Sequence, residues 1–549
     1  MMAVKPDKWD LETGVLIVGS GGAALAAAIL AHDNGASVTV IERSDKVGGT
    51  TSDSGGLTWV PQHHLMAEKG ASDSREEALK YCKAVTKGRV SDPLVETYVD
   101  TVPEMARYME EHTPLKYEST SYPDYHPEFE GGHTAEASRS LGPLLFNKND
   151  LGEAASTLRD NRNPGIPMLF SELEKWEAGT KIHQVPFDVI GERMEEGLVG
   201  FGAALVGHLY KGLLDRGIEP VLNTRGLELV MEDGEVIGLR AEQGGKDFYI
   251  GADKGIILAC GGFEWNKDLV AAFLPGPIAY PNSPPYNEGD GLKMAMSAGA
   301  DLAGMCENWG SISIVIPGEE SYDRPYGRIS LTERNLPHCI IVNRKGLRFV
   351  NESASYNDMF KSFWILNPNT CEYENLPAWH IFDQLYFDKY PCMTIMPGDP
   401  IPDYVERGDT VGELARKVGI DPEGLETTVE RFNAFAKTGV DQDFQRGESA
   451  YDKYYGDKDQ KPSPALGPIE KPPFYALPSY TGSIGTKGGA RINTNAQALH
   501  VSGNPIPGLY AAGNAGAPVS GPGYWGAGGT IGPAMVFGYL AGRHAANRK

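Results

Sequence analysis

Three stretches of the chain are apolar without a break, and each stops at glycine. Val15-Leu16-Ile17-Val18 runs into Gly19, Ile256-Ile257-Leu258-Ala259 leads through Cys260 to Gly261-Gly262, and Leu509-Tyr510-Ala511-Ala512 meets Gly513-Asn514. Unbroken apolar runs of this length predict strands buried on both faces. After the first run, an alanine-rich stretch to about residue 32 predicts a buried helix, and residues 37–41 form a second strand ending at Glu42. Farther on, helical periodicity covers 75–85, 93–112 and 196–214, broken by an aromatic, Pro/Gly-rich segment at 117–145. A β-rich patch follows at 219–250, with a turn at Glu232-Asp233-Gly234-Glu235. Strands are expected again at 339–342 and 348–350, a helix at 422–437, and a polar return loop at 441–468. The fold class is α/β.

Gly19-Ser20-Gly21-Gly22-Ala23-Ala24, set between strand and helix and followed about 20 residues on by Glu42, fits the G-x-G-x-x-G/A dinucleotide fingerprint. Arg43 follows the acid directly. A second small-residue loop, Gly48-Gly49-Thr50-Thr51 with Ser54-Gly55-Gly56, lies where an NAD domain needs none. It allows close approach to the longer body of FAD. Ala259, Gly261 and Gly262, then Asp290 in Asn287-Glu288-Gly289-Asp290-Gly291, extend the same signature. So do Gly513, Asn514, Gly529 and Ile531 near the end. The last of these open a helix whose free N–H groups suit the pyrimidine edge of a flavin. Between 300 and 470 the signature is absent. The expected plan is a discontinuous Rossmann-like FAD-binding domain (1–300 and 471–549) with an inserted α+β substrate-capping domain (301–470).

Composition narrows the partners. A formal net charge of −23 over 549 residues argues against nucleic acid and anionic membrane surfaces. The six cysteines show no C-x-x-C pairing, so no metal site is expected and free thiols in a reducing cytoplasm are favoured. No run of 18 apolar residues offers a transmembrane segment. The expectation is a cytoplasmic protein, with at most weak attachment to a membrane.

The chemistry falls to tyrosines. Tyr524 stands inside Gly523-Tyr524-Trp525-Gly526-Ala527-Gly528, Tyr386 and Tyr390 in 381–391, and Tyr122 and Tyr125 in 122–128. Together with the Gly19–Ala24 fingerprint, Gly48-Gly49-Thr50, Asp124-Tyr125-His126-Pro127-Glu128, Ala259-Cys260-Gly261-Gly262-Phe263, and Val342 through Glu352, these segments resemble the 3-ketosteroid dehydrogenases. That family is a branch of the fumarate reductase and succinate dehydrogenase flavoprotein superfamily. The resemblance implies that Tyr524 and the Gly528 N–H hold a ketone oxygen and that Tyr390 removes the α-proton. It also implies that Tyr125 assists, with His126 as the other candidate. The implied reaction is 1,2-desaturation of a steroid-like cyclic ketone with transfer of hydride to FAD. A quinone or other diffusible acceptor then takes the electrons, since no second nucleotide fingerprint exists. A simpler cyclohexanone-type substrate, 4,5-desaturation, a fumarate reductase-like role and a non-catalytic flavoprotein are the alternatives. The segments 482–489 and 523–528 lack the Arg and His that would clamp a dicarboxylate. Trp309, Trp525, Phe263 and Met393 are expected to line the ketone pocket.

Overall fold

A computed structural model describes residues 2–162 and 165–549. Along the chain come strand β1 (Leu11–Val18), helix α1 (Gly22–Asp33), strand β2 (Val38–Ile41), and helices α2 (Asp92–His112) and α3 (Phe201–Leu214). Strands β3 (Lys246–Leu258), β4 (Asn308–Ser321) and β5 (Cys339–Asn343) follow, then helix α4 (Tyr356–Phe360). Strands β6 (Ala378–Asp383), β7 (Phe474–Thr486) and β8 (Pro505–Ala511) precede the final helix α5 (Ile531–Ala546).

The three unbroken apolar runs form the centre of one parallel sheet, in the order β2-β1-β3-β8, with Leu16 opposite Ile256 and Ile256 opposite Leu509. Both faces are covered, which is why the strands carry no polar alternation. Helix α1 is buried from Gly22 to Ala31. It lies so close to α5 that a Cβ at Gly538 or Gly542 would come within 2.1 or 2.2 Å of the Ala23 or Ala27 carbonyl oxygen. Small residues on both helices permit this backbone approach, and it fixes the N-terminus of α5 beside the β1–α1 turn.

The second sheet is antiparallel, with Arg324–Ile329 at one edge and the order β4-β7-β6-β5. Two expectations shift here. β7 is the central strand of this sheet, so the chain returns to the first sheet only after residue 486, not at 470. Tyr280–Pro281 also pairs with β7, so the second sheet recruits residues ahead of 301. Residues 348–350 make one bridge instead of a strand, because Arg348 is buried in bonds to Glu352 and Asp441. The expected helix at 196–214 begins at Phe201, with a separate helix at Phe187–Glu195.

Candidate active site

Tyr524 sits where both sheets meet, and its position is set by a buried ionic network. Arg139, fully buried, donates to both carboxylate oxygens of Asp73 (2.7 and 2.8 Å) and to Asp124 (2.8 Å). Asp124 also accepts from Trp59 Nε1 (2.8 Å) and the His133 N–H (2.9 Å). The chain next to Asp124 is thereby held against the Tyr524 loop: Tyr125 N–H donates to the Trp525 carbonyl (3.0 Å), as does Tyr81 O–H (2.5 Å). Burial alone would raise Asp73, yet the bonds and charge of Arg139 hold it below the ordinary carboxylate value. Asp124 is pushed up by its burial in spite of the same guanidinium.

Three tyrosines converge there. The Tyr125 and Tyr524 rings are 4.7 Å apart, Tyr125 and Tyr356 5.9 Å, and Tyr356 O–H donates to the Tyr524 hydroxyl oxygen at 3.3 Å. Tyr356 is placed by β5 and the segment after it, entering α4 directly behind its N-cap Ser355. Burial pushes its hydroxyl well above the usual tyrosine range and neighbouring Tyr524 adds to this, whereas a hydrogen bond from Tyr125 acts in the opposite direction. Tyr125 is likewise raised by burial. Tyr524 is raised by burial too, against hydrogen bonds with Tyr356 and Thr530. Beside Tyr524, Gly528 adopts φ +92°, where a Cβ would lie 2.6 Å from the Leu57 backbone. Its carbonyl accepts from Gly532, while its N–H meets no acceptor among the described residues.

The expected proton acceptor, Tyr390, is elsewhere. It packs on Tyr386 in a separate cluster with Phe382 and Cys392, and its hydroxyl donates to Asp457 at 2.6 Å. Burial, with that carboxylate beside it, raises Tyr390 far beyond the usual range. The tyrosine beside Tyr524 in this region is Tyr356. Sequence reasoning missed Tyr356 although it lies four residues beyond the quoted Val342–Glu352 segment. His126 also turns away, 3.0 Å from Asp358, leaving Tyr125 as the neighbour of Tyr356. Of the four expected lining residues only Trp309 touches the site, 4.7 Å from the Tyr524 ring. Trp525 stacks on Tyr98 in the core under the first sheet, and Phe263 and Met393 belong to other apolar clusters.

The cofactor-binding candidates gather on one side of Tyr524. Gly19 has φ +110°, and a Cβ there would strike the Ala259 oxygen at 2.5 Å. Gly22 N–H donates to Thr51 Oγ1, Gly48 N–H to Ser20 Oγ, and Ser20 Oγ–H to Glu42, so the two small-residue loops are tied together. Ser54 accepts from Gly202 through its carbonyl, Gly56 is wedged against Phe201, and Thr50 Oγ1 accepts from Asn287. Gly49 and Gly55 are left with little crowding their Cα, and Gly261 and Gly262 pack on Asn287 and Thr486. Arg43 and Asp290 form an ion pair (3.3 Å) shared with Arg225. At the other end, a cleft is lined by Gly513, Asn514, Ser520, Gly529 and Thr530, just ahead of Ile531. Neither α1 nor α5 has an acid in its first turn or a side-chain cap, so both N-termini present unneutralised N–H groups. Ser520 Oγ is buried without a partner. A glycine cradle between two such helix ends fits a pyrophosphate and an electron-poor ring system.

Residues 14–531 match the family described as "FAD binding domain". The chain is 38% identical over 567 residues to the 3-oxosteroid 1-dehydrogenase of Mycobacterium tuberculosis, covering 98% of this chain and 99% of that protein. The chain belongs to the 3-ketosteroid dehydrogenase family. The 4-oxocyclohexanecarboxylate 2-dehydrogenase of Sinomonas cyclohexanicum is 39% identical, with 97% of this chain and 93% of that protein covered. The structure of 3-ketosteroid delta1-dehydrogenase from Sterolibacterium denitrificans, in complex with 1,4-androstadiene-3,17-dione, superposes with a TM-score of 0.91. It is 36% identical, over 98% of this chain and 100% of that one. This dehydrogenase is an FAD-dependent oxidoreductase, and the α/β expectation holds. No helix among its described residues is long and apolar enough to cross a membrane.

Tyr125→Phe in the dehydrogenase offers a test of the tyrosine geometry. Hydrogen bonds to charged groups contribute about 1.5–3 kcal/mol, so losing the one that favours Tyr356 phenolate raises its apparent pKa by about one unit or more. A tyrosine accepts a proton only as phenolate, so a step in which Tyr356 does so is expected to show its rising pH–rate limb moved to higher pH. An unmoved limb would show that Tyr125 does not act through Tyr356.

Proposed function

We propose that this chain introduces a 1,2 double bond into a 3-ketosteroid. The single observation that carries the reading is the convergence of Tyr356, Tyr524 and the open Gly528 N–H beside the N-terminus of α5. An α-proton becomes acidic only if the charge developing on the ketone oxygen is stabilised. Tyr524 O–H and Gly528 N–H supply two donors for that oxygen, and Tyr356 takes the proton, its phenolate steadied by Tyr125. FAD, when bound, supplies the hydride acceptor for the hydrogen on the adjacent carbon. Loss of one proton and one hydride leaves a conjugated enone. The buried aromatic wall of Trp309, Tyr451, Tyr356 and Phe170 excludes water from that oxygen and suits an apolar ring. Electrons then pass to a quinone or another diffusible acceptor, and the protein works in the cytoplasm.

The relative of 39% identity, a 4-oxocyclohexanecarboxylate 2-dehydrogenase, favours a second reading, a small monocyclic ketone. Anaerobic mixing of the yellow holoenzyme with androst-4-ene-3,17-dione, and separately with 4-oxocyclohexanecarboxylate, separates them. Bleaching of the flavin by the steroid with a 1,4-dien-3-one product supports the first reading, and bleaching by the small acid alone replaces it. Tyr524→Phe is expected to slow the productive reaction by about 10²–10³, the usual cost of one oxyanion donor. A rate within threefold of the parent would remove Tyr524 from that role.

A further inference from the structure

Lys487 is a fully enclosed cation with no carboxylate of its own. It lies directly after β7 and is 1% exposed. Its Nζ donates to the carbonyls of Gly523 (2.8 Å) and Pro522 (3.1 Å), lies 3.4 Å from that of Gly521, and sits 3.9 Å above the ring of Trp309. These three carbonyls form the turn immediately before Tyr524, and Trp309 is the ring packed on Tyr524. The acids closest in charge are engaged elsewhere: Glu307 pairs with Lys361 (3.5 Å) and Asp358 with His126 (3.0 Å). Lys361 in turn donates to the Pro522 carbonyl (2.7 Å), adding a second cation to the same turn.

Burying an ammonium without a counter-ion is unfavourable, and carbonyl dipoles with a ring face offset only part of that. Burial, together with the repulsion of Lys361, depresses the Lys487 amine to about 7. A group held in such a state is often placed where negative charge arises during the reaction. Lys487 also lines the cleft formed by Asn514, Gly529 and Thr530, the one in which FAD is expected to lie.

We propose that Lys487 is a positioning residue with an electrostatic role: it fixes the 521–523 turn that presents Tyr524, and its charge favours FAD in the reduced state. The proposal rests on the flavoenzyme reading above, but its test uses no ketone. Reduction adds negative charge to the cofactor, and among the described residues lining the cleft Lys487 is the one cationic side chain, beside the α5 N-terminus. Lys487→Met removes the charge at similar length. Lys487→Gln removes it while keeping a donor for one carbonyl.

The test is the midpoint potential of bound FAD, measured by equilibration with a reference dye. In both variants the reduced cofactor is expected to lose about tenfold in relative affinity, a fall of about 30 mV for a two-electron couple. With a steroid ketone, kcat is expected to fall about tenfold in Lys487→Met while KM stays within twofold. An unmoved potential overturns the electrostatic role, even if kcat falls. If Lys487→Met does not hold FAD, the Gln variant is read in the same way. Loss of FAD from both, with helix content intact, also overturns the proposal and leaves Lys487 as a structural tether. Because no ketone is present in the potential measurement, a wrong substrate assignment leaves its outcome unchanged.

Discussion

Tyr356→Phe is expected to abolish ketone-driven bleaching of the flavin, lowering the rate by about 10²–10⁴, the usual contribution of a positioned base. The variant keeps the ring, so the contacts with Tyr125 and Tyr524 survive and FAD content stays as in the parent. Tyr390→Phe is the paired control. It removes a bond to Asp457 in a cluster that does not include Tyr524, so turnover is expected within threefold and the cost to appear in thermal stability instead. Stopped-flow bleaching of both variants with the same ketone reads the two outcomes side by side. The reverse pattern, an active Tyr356→Phe and a dead Tyr390→Phe, would return the role to Tyr390 and require the second sheet to move toward the first.

The second large effect concerns the support beneath the site. Arg139→Met leaves Asp73 and Asp124 buried without their shared cation, and breaking one partner of a buried pair costs about 3–5 kcal/mol. The pH dependence follows from the sign of each shift. Asp73 is held low in the native protein, so the stability it gives is present above its unfolded pKa and is lost as pH falls. In the variant both carboxyls are expected to be raised, so their burial destabilises increasingly as pH rises through the new values. The gap in melting temperature between parent and variant is therefore expected to be wide at pH 8 and to narrow toward pH 5. A constant gap would mean that Arg139 acts through packing alone. A rise in KM and fall in kcat are expected even where the variant remains folded, since Asp124 no longer fixes Tyr125 against the Trp525 carbonyl.

The cofactor half of this site was largely readable from sequence because its signals are local. A strand, a glycine turn and a helix N-terminus occupy about a dozen consecutive residues from Val15, and the C-terminal glycine run around Gly528 is equally contiguous. The proposed proton acceptor, Tyr356, is not readable in that way. Tyr356 and Tyr390 are both buried tyrosines on or beside short helices, and tertiary packing separates them: Tyr356 lies on α4 against β4 beside Tyr524, and Tyr390 is bound to Asp457. Asp457, which captures Tyr390, is 67 residues away. Arg139 and Asp73 are likewise 66 residues apart, in segments that carry no periodic signal of their own. The placement of β7 was misread for a related reason. Its glycine-rich end, 482–489, looks like cofactor-domain sequence, while its first half is fixed by antiparallel pairing with β6 that no local pattern announces.

The close seam between α1 and α5 joins the first 33 residues to the last 20. During synthesis, the N-terminal strand and helix emerge long before their partner exists. At about 5–20 residues per second, the roughly 500 intervening residues take between about 25 and about 100 seconds to be made. Through that interval the face of α1 that α5 covers is open, and the cleft at Gly529 has not been formed.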